Sequence, residues 1–103
     1  MTFEYTHKMG NKTTRKINLK KDDIPQNIFD IIINDDSFSQ SGSFGQKGLG
    51  EPDEFEELIF RDGNDVKVFT YFNKGIHYMI YSTEKNRAIF QVFAYFMSVA
   101  IRC

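Results

Sequence analysis

The chain has 103 residues, of which 41% are hydrophobic, 26% charged and 16% aromatic, so it reads as a single domain over residues 1–103 with apolar surface enough for one core. That composition excludes a disordered chain and a pair of catalytic domains, and the only cysteine, Cys103, excludes a disulfide-stapled secreted mini-protein and points to a reducing compartment. The formal net charge is −1, Met1 to Lys8 has no leader pattern, and no apolar run approaches the roughly 18 residues that span a bilayer; a soluble cytoplasmic protein without a membrane partner is expected.

In chain order, Thr2 to Lys8 and Thr13 to Leu19 are rich in β-branched and aromatic residues and flank Met9-Gly10-Asn11, which predicts a hairpin. Asp22 and Asp23 can cap a helix and Pro25 suits its first turn, where no amide hydrogen is needed. Ile24, Ile28, Phe29, Ile31, Ile32 and Ile33 supply that helix with an apolar face. Residues 37–53 then hold four of the seven glycines, together with Phe38, Phe44 and Leu49, and read as a long loop that docks on the core or on a partner.

Beyond that loop, Asp62-Gly63-Asn64 separates Glu57–Arg61 from Val66–Phe72, and Asn73-Lys74-Gly75 separates the latter from Ile76–Tyr81. Asn and Gly tolerate the positive φ of tight turns, so a three-stranded antiparallel meander is predicted. From Ala88 to Ile101 almost everything is apolar, and the polar interruptions at Arg87, Gln91, Tyr95, Ser98 and Arg102 follow helical spacing. Ser82 or Thr83 can cap this helix, Glu84 and Arg102 suit its two ends, and Phe90, Phe93, Met97 and Ala100 are expected against the sheet. The order β-β-α-loop-β-β-β-α describes an α+β domain. Its antiparallel sheet of about five strands, the amino-terminal hairpin plus the meander, packs against two helices.

Nothing in this pattern builds a reaction centre. The loop glycines fit neither a dinucleotide fingerprint nor a phosphate loop, and His7 and His77 lack metal-ligand spacing. Glu56 and Glu57 are neighbours on a strand, so they point to opposite faces rather than forming an acid-base pair. The expectation is a non-enzymatic protein with no cofactor and no metal.

The charge is sorted along the chain: residues 1–21 carry six cations against Glu4, a net +5; residues 22–65 carry twelve carboxylates against Lys47 and Arg61, a net −10; residues 66–103 carry +4. Three readings stay open. The segments neutralise each other across neighbouring strands. Alternatively the basic hairpin, which combines Phe3 and Tyr5 with Lys8, Lys12, Arg15, Lys16, Lys20 and Lys21, is a nucleic-acid-binding module, although the acidic excess would repel a polyanion. The third reading is a surface for a basic protein partner, formed by Asp35, Asp36, Asp53, Glu54, Glu56, Glu57, Asp62 and Asp65, with Tyr71, Tyr78 and Tyr81, or Phe44 on the loop, as aromatic anchors.

A single α+β domain, an acid-rich segment from Asp22 to Asp65, many Phe and Tyr, and no catalytic constellation together resemble the small cytoplasmic immunity proteins of bacterial toxin systems, particularly those of contact-dependent growth inhibition. The resemblance covers the whole chain as a pattern and has no diagnostic motif. It implies a non-catalytic protein that binds and neutralises a cognate toxin, often a basic nuclease domain, by occluding its active cleft. Such proteins are often more acidic overall than this chain.

Overall fold

A computed structural model describes residues 1–102; Cys103 and the inference drawn from its thiol lie outside the described residues. The amino-terminal hairpin forms as its sequence predicts. Strands β1 (Thr2–Met9) and β2 (Lys12–Lys20) pair antiparallel, with Phe3 opposite Leu19 and Tyr5 opposite Ile17. Gly10 turns the chain at a φ of 60°, where a side chain would be strained. Strand alternation sends Phe3, Tyr5 and His7 to the buried face and Glu4, Thr6 and Lys8 to the other.

The aspartates after β2 act one step earlier than capping would place them. Lys21–Asp23 is a 3₁₀ turn in which the Asp23 carboxylate accepts from the Lys20 amide at 2.9 Å, and helix α1 (Gln26–Asn34) starts beyond Pro25. Helical spacing buries Ile28, Phe29 and Ile32 and leaves Ile33 exposed.

Residues 37–53 are more structured than a loop. Asp36–Phe38 forms a second 3₁₀ turn that buries Phe38, and Gly42–Gly45 forms a short strand, β3. Strands β4 (Glu54–Asp62) and β5 (Asp65–Phe72) then make the expected hairpin about Gly63. The sheet order is β2-β1-β4-β5-β3, with β3 parallel to β5 and every other pair antiparallel.

The expected third strand of the meander is instead a helix. Residues Lys74–Ile80 form α2, and α3 (Glu84–Arg102) follows, so the domain has five strands in a mixed sheet and three helices among the described residues. Asn73 takes left-handed angles (φ 51°, ψ 50°) that lift the chain off the sheet, and the β5 edge it leaves is occupied by β3. Within α2, Lys74, His77 and Tyr78 face inward at helical spacing: Lys74 reaches Glu56, the His77 ring lies edge-on to Tyr71, and Tyr78 stacks on Phe90 at 4.2 Å. The α3 helix is capped by Thr83, whose hydroxyl accepts from the Asn86 amide at 3.1 Å.

The helices cover one face of the sheet. Phe3 meets Phe60 at 5.0 Å and Phe96 at 5.7 Å, and Tyr71 meets Phe93 edge-on at 5.3 Å. Burial of each such ring contributes about 2 kcal/mol, which makes this face the core and leaves the opposite face of the sheet to solvent. No helix among the described residues is long and apolar enough to cross a membrane.

Candidate functional site

The carboxylates that are adjacent in sequence are dispersed in space. Asp53 and Glu54 stand at one end of β4 and Asp62 at the other, roughly 25 Å away at the strand rise of about 3.3 Å per residue, with Asp65 opposite Asp62 across the turn. Asp35 spends its carboxylate on the Ser37 amide at 2.9 Å, while Asp36 is exposed and, with Asp35, lines a hollow shared with Glu84 and Lys85. Glu57 lies on the open sheet face between Thr6 and Thr70. Phe44 is half-buried against Phe38, Phe69 and Phe93 on one wall of a surface groove, and Tyr71 is buried.

Glu56 is in the core, at 0% exposure. Its carboxylate accepts from the Tyr5 hydroxyl and from the Lys74 ammonium at 3.1 Å, and its second oxygen has no partner among the described residues. The Lys74 ammonium also lies over the Phe90 ring at 5.4 Å. Burial raises the Glu56 carboxyl above the ordinary carboxylate value; the Lys74 charge and the hydrogen bonds from Tyr5 and Lys74 pull the other way without cancelling it. Burial, and then the Glu56 charge, also raise Tyr5, and push Tyr71 up to about 12. Through these contacts Tyr5, Glu56 and Lys74 tie β1, β4 and α2 together. Beside it, His7 bonds Thr14 through one ring nitrogen and Glu54 through the other at 2.9 Å.

Two exposed surfaces carry unusual groupings of side chains. On α2 the positions that do not face the core are apolar and open: Ile76 is 43%, Met79 84% and Ile80 56% exposed. Ile76 shares a hollow with Met9, Pro52, Glu51 and Glu54, so this ridge is bordered by carboxylates. Asp53, beside them in the chain, accepts from Asn73 at 3.0 Å and from the Gly48 amide at 2.9 Å; these hydrogen bonds, that of Asn73 foremost, hold its carboxyl below the ordinary range. The second surface is the open sheet face, where Phe55 and Phe72 lie 5.9 Å apart with Lys8 over one ring at 5.2 Å and Lys47 over the other at 5.0 Å.

Reading the sequence missed the ridge because Ile76–Tyr81 fits a strand as well as a helix. The signal present in the sequence was the spacing: Ile76, Met79 and Ile80 fall on one helical face and Lys74, His77 and Tyr78 on another. Among the described residues no group of three or more His, Cys, Asp or Glu side chains is arranged to hold a metal ion. Comparison of the chain with protein-family models, with curated proteins and with solved structures finds no match.

Proposed function

We propose that this chain is a protein-binding domain that neutralises a basic partner by occlusion, the role that its resemblance to bacterial immunity proteins implies, with a cognate toxin as the partner class. The observation that carries this reading is the α2 ridge of Ile76, Met79 and Ile80 beside Glu51 and Glu54. Exposed aliphatic and thioether side chains are apolar surface for a partner to cover, and a carboxylate rim speeds the encounter with a cationic one. On this reading the contact is at α2 and residues 51–54, a narrower acidic surface than the run from Asp35 to Asp65. Co-purification with the product of a neighbouring toxin-like gene tests it. Wild-type chain is expected to bind that product and suppress its toxicity, and Met79→Asp to weaken binding by about tenfold or more. A toxin that neither binds nor loses toxicity ends the proposal.

A second reading is favoured by the open sheet face. Phe55 and Phe72 side by side, with Lys8 and Lys47 over their rings, offer stacking surfaces and cations of the kind used to bind single-stranded nucleic acid. Titration with labelled single-stranded RNA at low salt separates the two. This reading predicts salt-sensitive binding that falls with Phe55→Ala, and an RNA titration without binding leaves the protein-partner reading alone.

A further inference from the structure

Strand β3 is the outer edge of the sheet, and residues 40–46 run along one wall of a groove of about 650 Å³. The other wall is His77 and Tyr81 at the end of α2, with Thr83, Asn86 and Ile89 at the start of α3. The Val68 amide donates to the Ser41 hydroxyl at 2.9 Å and the Gln46 amide to the Phe72 carbonyl at 3.3 Å, so Val68, Thr70 and Phe72 turn their peptide groups toward β3. With Gly42 opposite Phe69 and Phe44 opposite Tyr71, parallel pairing directs the peptide groups of Gly42 and Phe44 to β5 and those of Ser43 outward.

Two side-chain atoms bordering this groove, Ser37 Oγ and His77 Nδ1, are buried without a hydrogen-bond partner among the described residues. Buried polar atoms of this kind are few in native proteins, and here two belong to one groove beside an unpaired strand edge. The opposite edge of the sheet, β2, is nine residues long and carries Lys12, Arg15, Lys16 and Lys20, the charges that guard an edge against pairing; β3 carries none.

We propose that this groove binds an extended, uncharged polar segment of a partner polypeptide, which adds as a strand outside β3. The peptide groups of Ser43 supply backbone hydrogen bonds. A Ser, Thr, Asn or Gln side chain of the segment, able to donate and accept, meets the hydroxyls and amides of the lining, and Ser37 and His77 gain partners as their side chains turn toward it. The lining sets the charge preference: hydroxyls and amides dominate, and its two charges, Asp36 and Lys85, are opposite in sign. A strand of four residues offers far less contact than the roughly 1,200 Å² of a stable interface between folded chains, which favours a short segment over a second copy. The site is independent of the α2 ridge, because His77 lies on the inward side of that helix and Met79 on the outward side.

Selection of short random peptides on the immobilised full-length chain tests this, followed by affinities of the selected peptides for the wild type and three variants. Uncharged, Ser/Thr/Asn/Gln-rich peptides are expected, with affinity insensitive to salt and amide resonance shifts at Ser37, Ser41–Gln46 and His77. Ser43→Pro removes an outward amide without touching the bonds to β5 and is expected to weaken binding about tenfold. Ser43→Ala, which keeps the backbone, is expected to bind as the wild type does, and His77→Phe, which keeps the ring, to bind more weakly. If Ser43→Pro does not fold, the resonance shifts and His77→Phe decide. The proposal is overturned by a selection that enriches nothing, by peptides that bind Ser43→Pro or His77→Phe as tightly as the wild type, or by a wild-type dimer that Ser43→Pro dissociates, which would assign the edge to a second copy.

Discussion

Glu56 stands between His7 on one neighbouring strand and Tyr71 on the other, a position at which strand alternation turns a carboxylate into the core. Among the described residues the cation paired with it is Lys74, so removing that partner leaves an uncompensated buried acid. Lys74→Met is expected to lower stability at neutral pH by about 3 kcal/mol, measured by urea denaturation, and Glu56→Leu with Lys74→Met to recover most of the loss. The pH dependence has a definite sign. Without Lys74 the folded carboxyl, already raised by burial, is held higher still, so the folded state keeps a proton that the unfolded chain releases above about 4.5. Stability of Lys74→Met should therefore be greatest in mild acid and decline as pH rises through the folded value. A variant deficit that stays constant with pH would mean that Glu56 does not change protonation there. Neither the burial of Glu56 nor its pairing is legible in the sequence, where it is one of four acids among residues 53–57.

The two elements that departed from their sequence expectation did so for one reason, which is that β5 has an edge and something must cover it. The local pattern of Ile76–Tyr81 made it the obvious strand for that edge. A segment about thirty residues earlier took the place instead, because Gly45 allows its backbone to lie directly against that of Phe72. A Cβ built on Gly45 would fall 2.0 Å from the Phe72 carbonyl oxygen, and its φ of 78° suits glycine alone. Gly45→Ala should accordingly displace β3 and cost about 3 kcal/mol in a thermal or urea melt. A variant as stable as the wild type would show that β3 is not held where this close approach puts it. By contrast, α1, α3 and both hairpins were legible from the chain, since turn residues, apolar periodicity and, for α3, the Thr83 cap are local signals whose partners lie within a few residues.

Across the whole molecule, the charge blocks of the sequence do not map onto one surface each. The basic block lies along β2 and its edge, and the acidic block is split among the two ends of β4, the α1 exit, the open face and the core. Glu51 and Glu54 stand beside the exposed Met9 and Ile76, so a basic partner that covers the α2 ridge should feel those carboxylates most. Glu51→Lys is expected to slow association with such a partner and flatten its salt dependence, whereas Asp62→Lys, at the far end of β4, should leave both unchanged. The sequence by itself determined the class of the fold, the two hairpins, a helix after Pro25 and another over the apolar run from Ala88 to Ile101, and the absence of local motifs for phosphate, dinucleotide or metal, because each depends on residues close together along the chain. Tertiary structure alone decided that β3 closes the sheet, that Lys74 neutralises a buried Glu56, and which carboxylates stand together. Those outcomes rest on contacts between residues tens of positions apart, and a sequence of charges carries no information about distance until the chain has folded.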